Sequence, residues 1–278
     1  MCTDTTMKKR VLQKIPGFKK KIYTFYKENK REFDWRNTTD PYKIIVSEMM
    51  LQQTQTGRVI EKYADFIHAL PSVSHLSKAS TSDVLRLWQG LGYNRRALYL
   101  KRTAEIICET YNNAFPSLKE ELVKLPGVGP NTAGAVMAFA YNLPVVFIET
   151  NIRRVFIHEF FREKEKVSDQ QIYPFIENSL DTKNPRDWYY ALMDYGAYIG
   201  KTTTNPNRKS ETYSKQSKFE GSIRQVRGAI LKLLLEKVMS ETALSKQFEN
   251  KEFYNQAIKQ LIKEGFVEKI GNSISLKS

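Results

Sequence analysis

"LVKLPGVGPNTAGAV" (residues 122–136) decides the fold. Its pattern predicts a helix ending at Leu125, a tight turn through Gly127 and Gly129, and a second helix beginning at Pro130. Glycine adopts backbone angles closed to other residues and lets another backbone approach closely. Proline suits the first helical position. The start of the second helix presents backbone N–H groups, an arrangement that receives anions. No Lys-Ser/Thr pair follows the turn, so this is not a nucleotide P-loop. A plain helix–helix connection could use the same glycines. The surrounding chain favours a phosphodiester.

That chain has 278 residues, 44 basic and 30 acidic, for a formal charge of +14 and a pI near 9.5. Such a balance suits a polyanion-binding protein. The length suggests about two domains. No apolar run approaches the roughly 20 residues that span a bilayer. The opening "MCTDTTMKKRVLQKIPGFKKK" lacks the apolar core of a signal peptide. The expectation is a soluble cytoplasmic monomer, nucleoid-associated if the source is bacterial. Two scattered cysteines, Cys2 and Cys108, make neither a four-thiolate metal site nor a disulfide framework.

Working outward, most of the chain reads as helical. Asp40 and Pro41 form a helix start, and the apolar spacing continues to a break near Gly57. Further helices are expected from Thr81, Arg95 and Ser117, over 130–142, from Thr150, from Asp169 and over 184–200. Residues 201–221, rich in Lys, Ser, Thr and Asn, read as a basic linker. Three helices and a hairpin around Gly271-Asn272 then suggest a small winged-helix-like domain over 222–278.

Two acids stand out. Glu48 lies beyond the first turn of its helix among Ile45, Met49 and Leu51, where partial desolvation would raise its pKa and let it hold a proton near neutrality. A salt-bridged surface Glu is the plainer reading. In "FIETNIRRVF" (147–156), Glu149 ends an apolar run at the start of a helix. It either caps that helix or faces positive charge on a reacting molecule.

The hairpin resembles that of the helix-hairpin-helix DNA glycosylase superfamily that includes endonuclease III. "VSEMMLQQTQTGRV" (46–59), "LWQGLGYNRRALYLKRTA" (87–104) and "ETNIRRV" (149–155) narrow the resemblance to MutY-type adenine DNA glycosylases, in the same order, from about Trp35 to Gly200. The implied fold is all-α and two-lobed. Residues 45–147 would form a six-helix lobe carrying the hairpin, and 1–44 with 148–200 the other lobe. Duplex DNA with a mismatched or damaged base is the implied partner, its target nucleotide extruded for chemistry.

By resemblance, Glu48 protonates the departing base, Glu149 stabilises the positive sugar, and Asn151 accompanies it. Gln52, Gln53 and Tyr93 match positions at the opened stack. Gly127, Gly129, Asn131 and Thr132 belong to the hairpin, whose carbonyls admit a monovalent cation. The chain also departs from the family. Glu149 stands where Asp is usual, moving the carboxylate roughly 1–1.5 Å, and about 1 Å of misplacement can cost on the order of 100-fold. Asn131 stands where bifunctional relatives carry a nucleophilic Lys, so base release without Schiff-base strand cleavage is implied. The linker holds none of the four cysteines usual there, so no iron–sulfur cluster and no catalytic metal is expected. The tail here is expected to hold no domain reading 8-oxoguanine. The leading expectation is therefore a monofunctional glycosylase releasing adenine opposite guanine or 8-oxoguanine. The alternatives are a thymine/uracil mismatch glycosylase and a catalytically impaired DNA-binding module. A Gly127→Asp change is expected to weaken DNA binding by placing negative charge beside a phosphate.

Overall fold

The computed structural model describes residues 2–277, with side chains from residue 13 onward. Cys2 therefore lies outside the described side chains. Helix α1 (Cys2–Asn29) opens the chain. Helix α2 (Pro41–Leu51) starts as its sequence predicts, with Asp40 Oδ1 accepting the Tyr42 N–H at 2.9 Å. The break after it falls earlier than Gly57. Gln53 adopts a left-handed φ of +54°, and α3 (Thr56–Ala69) already contains Gly57. Two short helices follow, α4 (Val73–Lys78) and α5 (Thr81–Trp88), each capped by a serine hydroxyl, Ser72 and Ser80. Next come α6 (Arg95–Thr110), α7 (Lys119–Leu122) and α8 (Pro130–Tyr141). Helix α7 stops three residues before the expected Leu125, so the hairpin turn is wider than its glycines alone imply.

Helices α9 (Thr150–Phe160), α10 (Asp169–Ser179) and α11 (Pro185–Thr202) complete the long helical part. The C-terminal part runs α12 (Ile223–Glu236), β1 (Met239–Ser240), α13 (Glu241–Lys246), α14 (Lys251–Lys263), β2 (Val267–Ile270) and β3 (Ser273–Leu276). Its strands form an antiparallel sheet in the order β1-β3-β2, with Gly271 at φ +59° in the hairpin turn. This is winged-helix topology. Strand β1 is only two residues long, too short for a period to announce it, and pairs through Met239 with Ile274. The fold is thus all-α apart from this small sheet.

The chain gathers into two compact units. One comprises Met1–Ile45, Ser117–Lys124 and Val128–Lys215; the other comprises Val46–Pro116, Leu125–Gly127 and Gln216–Ser278. The division differs from the expected lobe boundaries. Helix α8, expected in the six-helix lobe, packs in the first unit. Phe139 on α8 stacks on Tyr190 of α11 with ring centroids 4.4 Å apart. Gly134 makes room for Phe147, whose Cβ would lie 2.6 Å from a Cβ added there. The same unit ties its N-terminal segment to α11 through Asp194. That buried carboxylate accepts from Arg31 Nε at 2.6 Å and from both Arg36 Nη atoms at 2.8 and 2.9 Å. Paired this way, a charge costly to bury alone becomes a fixed joint.

In the second unit, Phe66 meets Trp88 edge to face. The C-terminal part is clamped to the helices by Arg95–Glu264 at 2.5 Å, with Arg227 sharing Glu264 at 2.6 Å. The expected linker is not one loose segment. Its residues up to Lys215 belong to the first unit, carry a 3-10 turn over Pro206–Lys209, and pair Ser210 with Val167. From Gln216 onward it belongs to the second unit.

Candidate active site

Glu149 resolves the two readings of its sequence by satisfying the first without excluding the second. It is the N-cap of α9. Its Oε1 accepts from the N–H groups of Asn151 and Ile152, both at 2.8 Å. Its Oε2 accepts from Asn151 Nδ2 at 3.3 Å. Glutamate is not a favoured cap, being one methylene longer than aspartate. Here Glu149 approaches the helix from an extended backbone, φ −120° and ψ 179°, which gives the longer side chain space to turn back. Burial pushes the carboxyl above its usual range, while the two backbone N–H groups, Arg154 and Arg153 pull the other way. The result is a half-buried carboxylate held in place by dipoles, as stabilisation of a developing cation requires.

Asn131 and Thr132 lie in the first turn of α8, within the same unit. Asn131 Oδ1 accepts from the Ile148 N–H at 3.3 Å, so this position touches the residue next to Glu149. Thr132 is half-buried beside it. Gly129 is the N-cap of α8 and supplies no side chain to it; a Cβ at Gly129 would meet nothing within 4 Å.

The second unit holds the other predicted residues. Glu48 is half-buried on α2, preceded by buried Ser47 and followed by the fully buried Met49 and Met50. Gln52 Nε2 donates to the Gly127 carbonyl at 3.3 Å, joining the end of α2 to the hairpin turn. Thr103 Oγ1 donates to the adjacent Pro126 carbonyl at 3.0 Å. Gly127 sits at φ +75°, and a Cβ there would fall 2.7 Å from Met49 Cε and 3.0 Å from Tyr99. Gly127→Asp is therefore a poor probe of anion binding, because it strains the fold as well as adding charge. Gln53 and Tyr93 share an unusual property: both are non-glycine residues at positive φ, +54° and +47°, and both are exposed. Backbone held in a sparsely populated region needs support from its surroundings. Tyr93 Oη accepts from Arg224 Nη1 at 2.9 Å and is also bonded by the Gln216 amide.

The support for both strained residues is Arg96, which sequence reasoning passed over. Its Nη1 donates to the carbonyls of Met49, Met50 and Gln52 at 2.7, 2.9 and 2.5 Å. Its Nη2 donates to Thr54 Oγ1 and the Gly92 carbonyl, both at 3.0 Å. The guanidinium thereby fills the acceptors at the end of α2 and in the 91–92 turn. Burial pushes its pKa down to about 10, still charged at neutrality. In the sequence it is the second of two adjacent arginines opening a helix, "RRALYL", and nothing local marks it as buried.

The sequence holds two cysteines, Cys2 and Cys108; residues 201–221 contain none, and Cys108 lies on α6. Among the described residues, no group of three or more His, Cys, Asp or Glu gathers to hold a metal ion, and no helix is long and apolar enough to cross a membrane.

The family described as "HhH-GPD superfamily base excision DNA repair protein" matches residues 46–177. The chain is 30% identical over 200 residues to a thymine/uracil-DNA glycosylase of Methanothermobacter thermautotrophicus, covering 70% of this chain and 88% of that one. It is 31% identical over 232 residues to an adenine DNA glycosylase of Mycolicibacterium smegmatis, covering 77% and 78%. A solved thermostable thymine-DNA glycosylase superposes with a TM-score of 0.61 at 26% identity, over 71% of this chain and 92% of that one. The chain belongs to the HhH-GPD superfamily. It spans about half the length of the curated adenine DNA glycosylases of Buchnera aphidicola and Mycobacterium tuberculosis that it also matches.

Proposed function

We propose that this chain is a monofunctional DNA glycosylase that releases adenine mispaired with guanine or 8-oxoguanine. The observation that carries the reading is the Glu149 carboxylate, held by two backbone N–H groups and Asn151. In the proposed reaction Glu48 gives its proton to the adenine ring, and the C1′–N9 bond breaks with its electron pair leaving on the base. Glu149 stabilises the cationic sugar. Water then adds to C1′ and yields its proton to the Glu48 carboxylate, restoring the acid. The residues named carry every proton and charge in this scheme, and no metal is needed. Asn131 has no basic amine, so the abasic strand is left intact.

The test is a panel of duplexes carrying A:8-oxoG, A:G, T:G, U:G and hypoxanthine, incubated with protein and split with or without alkali treatment. Alkali-dependent product from A:8-oxoG or A:G is expected. The relationship to a thymine/uracil-DNA glycosylase supports a second reading, which product from T:G or U:G alone would favour. No product from any duplex would leave a DNA-binding module. Strand cleavage without alkali would overturn the monofunctional assignment.

The hairpin can be tested separately. Gly129→Asp has room for its side chain and places a preferred capping residue at the start of α8. The same carboxylate occupies and repels the position a phosphate would take. The variant is expected to fold at least as stably as the parent and to lose about 10- to 100-fold in duplex affinity, the worth of one charge-assisted hydrogen bond. Titration by fluorescence anisotropy at fixed salt measures this. Unchanged affinity would remove the hairpin from the DNA contact.

A further inference from the structure

We propose that Asn205 and Asn207, on the loop after α11, are positioning residues that fix the Glu149 carboxylate. The inference rests on the role proposed for Glu149 and concerns what aims it.

Two routes connect the loop to that carboxylate. Along the first, Asn205 Oδ1 accepts from Arg154 Nε at 3.2 Å. Arg154 Nη1 donates to Asn151 Oδ1 at 2.8 Å and to the Gly196 carbonyl at 2.8 Å. With its oxygen engaged by a guanidinium, the Asn151 amide must present Nδ2 the other way, toward Glu149 Oε2. Along the second, Asn207 Nδ2 donates to the Thr150 carbonyl at 2.9 Å, inside the first turn that Glu149 caps. Asn207 is only 5% exposed. Asn205 Oδ1 also accepts the Asn207 N–H at 3.1 Å, which ties the two routes together.

The loop is itself anchored. The Val167 N–H donates to the Lys209 carbonyl at 2.8 Å, and the Glu211 N–H to the Val167 carbonyl at 3.1 Å. Helix α11 comes close enough to α9 for these bonds because it carries glycines at the crossing. A Cβ at Gly196 would collide with the Asn151 carbonyl, and one at Gly200 would fall 2.7 Å from Arg154 Nη1.

A brace that served stability alone would be better made of apolar groups. Asn207 Oδ1 is buried and finds no hydrogen-bond partner among the described residues, a standing cost. What the amide gains is the one bond to Thr150. Both asparagines thus act at the two residues following Glu149.

Three variants test this: Asn205→Ala, Asn205→Asp and Asn207→Ala. Each is measured by single-turnover base excision on the best duplex, by duplex affinity, and by hydrogen exchange of the Asn151 and Ile152 amides. Asn205→Ala and Asn207→Ala are expected to keep affinity within about twofold, to lose about 10- to 100-fold in rate, and to exchange both amides at least about tenfold faster. Asn205→Asp keeps an acceptor for Arg154 and is expected to retain rate within about threefold. Asn205→Ala is the decisive variant if Asn207→Ala fails to fold, because Asn205 is only half-buried. A wild-type rate in folded Asn205→Ala, or unchanged exchange at both amides, overturns the proposal. Were the parent protein to excise no base, the glycosylase reading would fail, and the exchange measurement would still decide whether the loop fixes the cap.

Discussion

Glu149→Gln is expected to lower single-turnover excision by about 10²–10³-fold, the usual loss when one preorganised electrostatic contact is removed from a transition state. Oε1 of the replacement can still accept the Asn151 and Ile152 N–H groups, so the start of α9 should survive. What disappears is the charge. In addition, the new Nε2 would face Asn151 Nδ2, which cannot turn away while Arg154 holds the Asn151 oxygen. Duplex affinity should be nearly unchanged. A fully active Gln variant would show that Glu149 is a cap and nothing more.

Glu149→Asp is the sharper companion. Aspartate is the better helix cap, so thermal stability should hold or rise. Its carboxylate sits roughly 1 Å further back, and the rate should fall by up to about 100-fold. An Asp variant as fast as the parent would mean that the longer acid is merely tolerated. The pH profile provides a third check. Glu149 must be ionised to oppose a cation, and burial raises its carboxyl above the usual range. Excision should therefore fall as pH drops through that raised value, earlier than an ordinary carboxylate would dictate, and Glu149→Gln should abolish that acidic limb.

The second large effect is expected at Arg96. Arg96→Met keeps much of the volume and removes all the donors. The carbonyls of Met49, Met50, Gln52 and Gly92 then lose their guanidinium partner. Leaving a buried acceptor unsatisfied costs about 1–3 kcal/mol, and with several carbonyls losing the same partner a total of about 3–5 kcal/mol is expected. At about 2–4 °C per kcal/mol for a chain of this size, Tm should drop by about 6–20 °C. Calorimetry on the full chain measures it. The same bonds hold Gln53 and Tyr93 in their left-handed conformations, so excision should also fall at temperatures where the variant is still folded. A shift below about 2 °C would mean that water replaces the guanidinium, and that these turns hold themselves.

Much of this was legible in the chain itself. Asp40-Pro41 marked a helix start, and the structure places the Asp40 carboxylate on the Tyr42 N–H. "LPGVG" marked the hairpin because a left-handed turn needs glycine, and Gly127 stands at φ +75°. Gly271-Asn272 marked the wing for the same reason. Capping residues and glycine turns act over four or five positions, so their physics is local and the sequence displays it.

Other features depend on partners distant in the chain, and there the sequence was silent. Residues 201–221 have the composition of a linker, yet Asn205 and Asn207 end on α9, more than fifty residues earlier. Arg96 reads as one more surface cation on a helix, and becomes a buried hub only because α2 ends against it. The sequence points to a break near Gly57, the weak helix former; the structure puts it at Gln53, four residues earlier, since tertiary bonds can support a strained residue that local propensity would avoid. Glu149 shows the division within a single side chain. Its place before a helix announced a cap. Its extended approach, the burial that raises its pKa and the asparagine turned toward it come from packing, because only the folded chain sets which groups surround a charge and how little water reaches it.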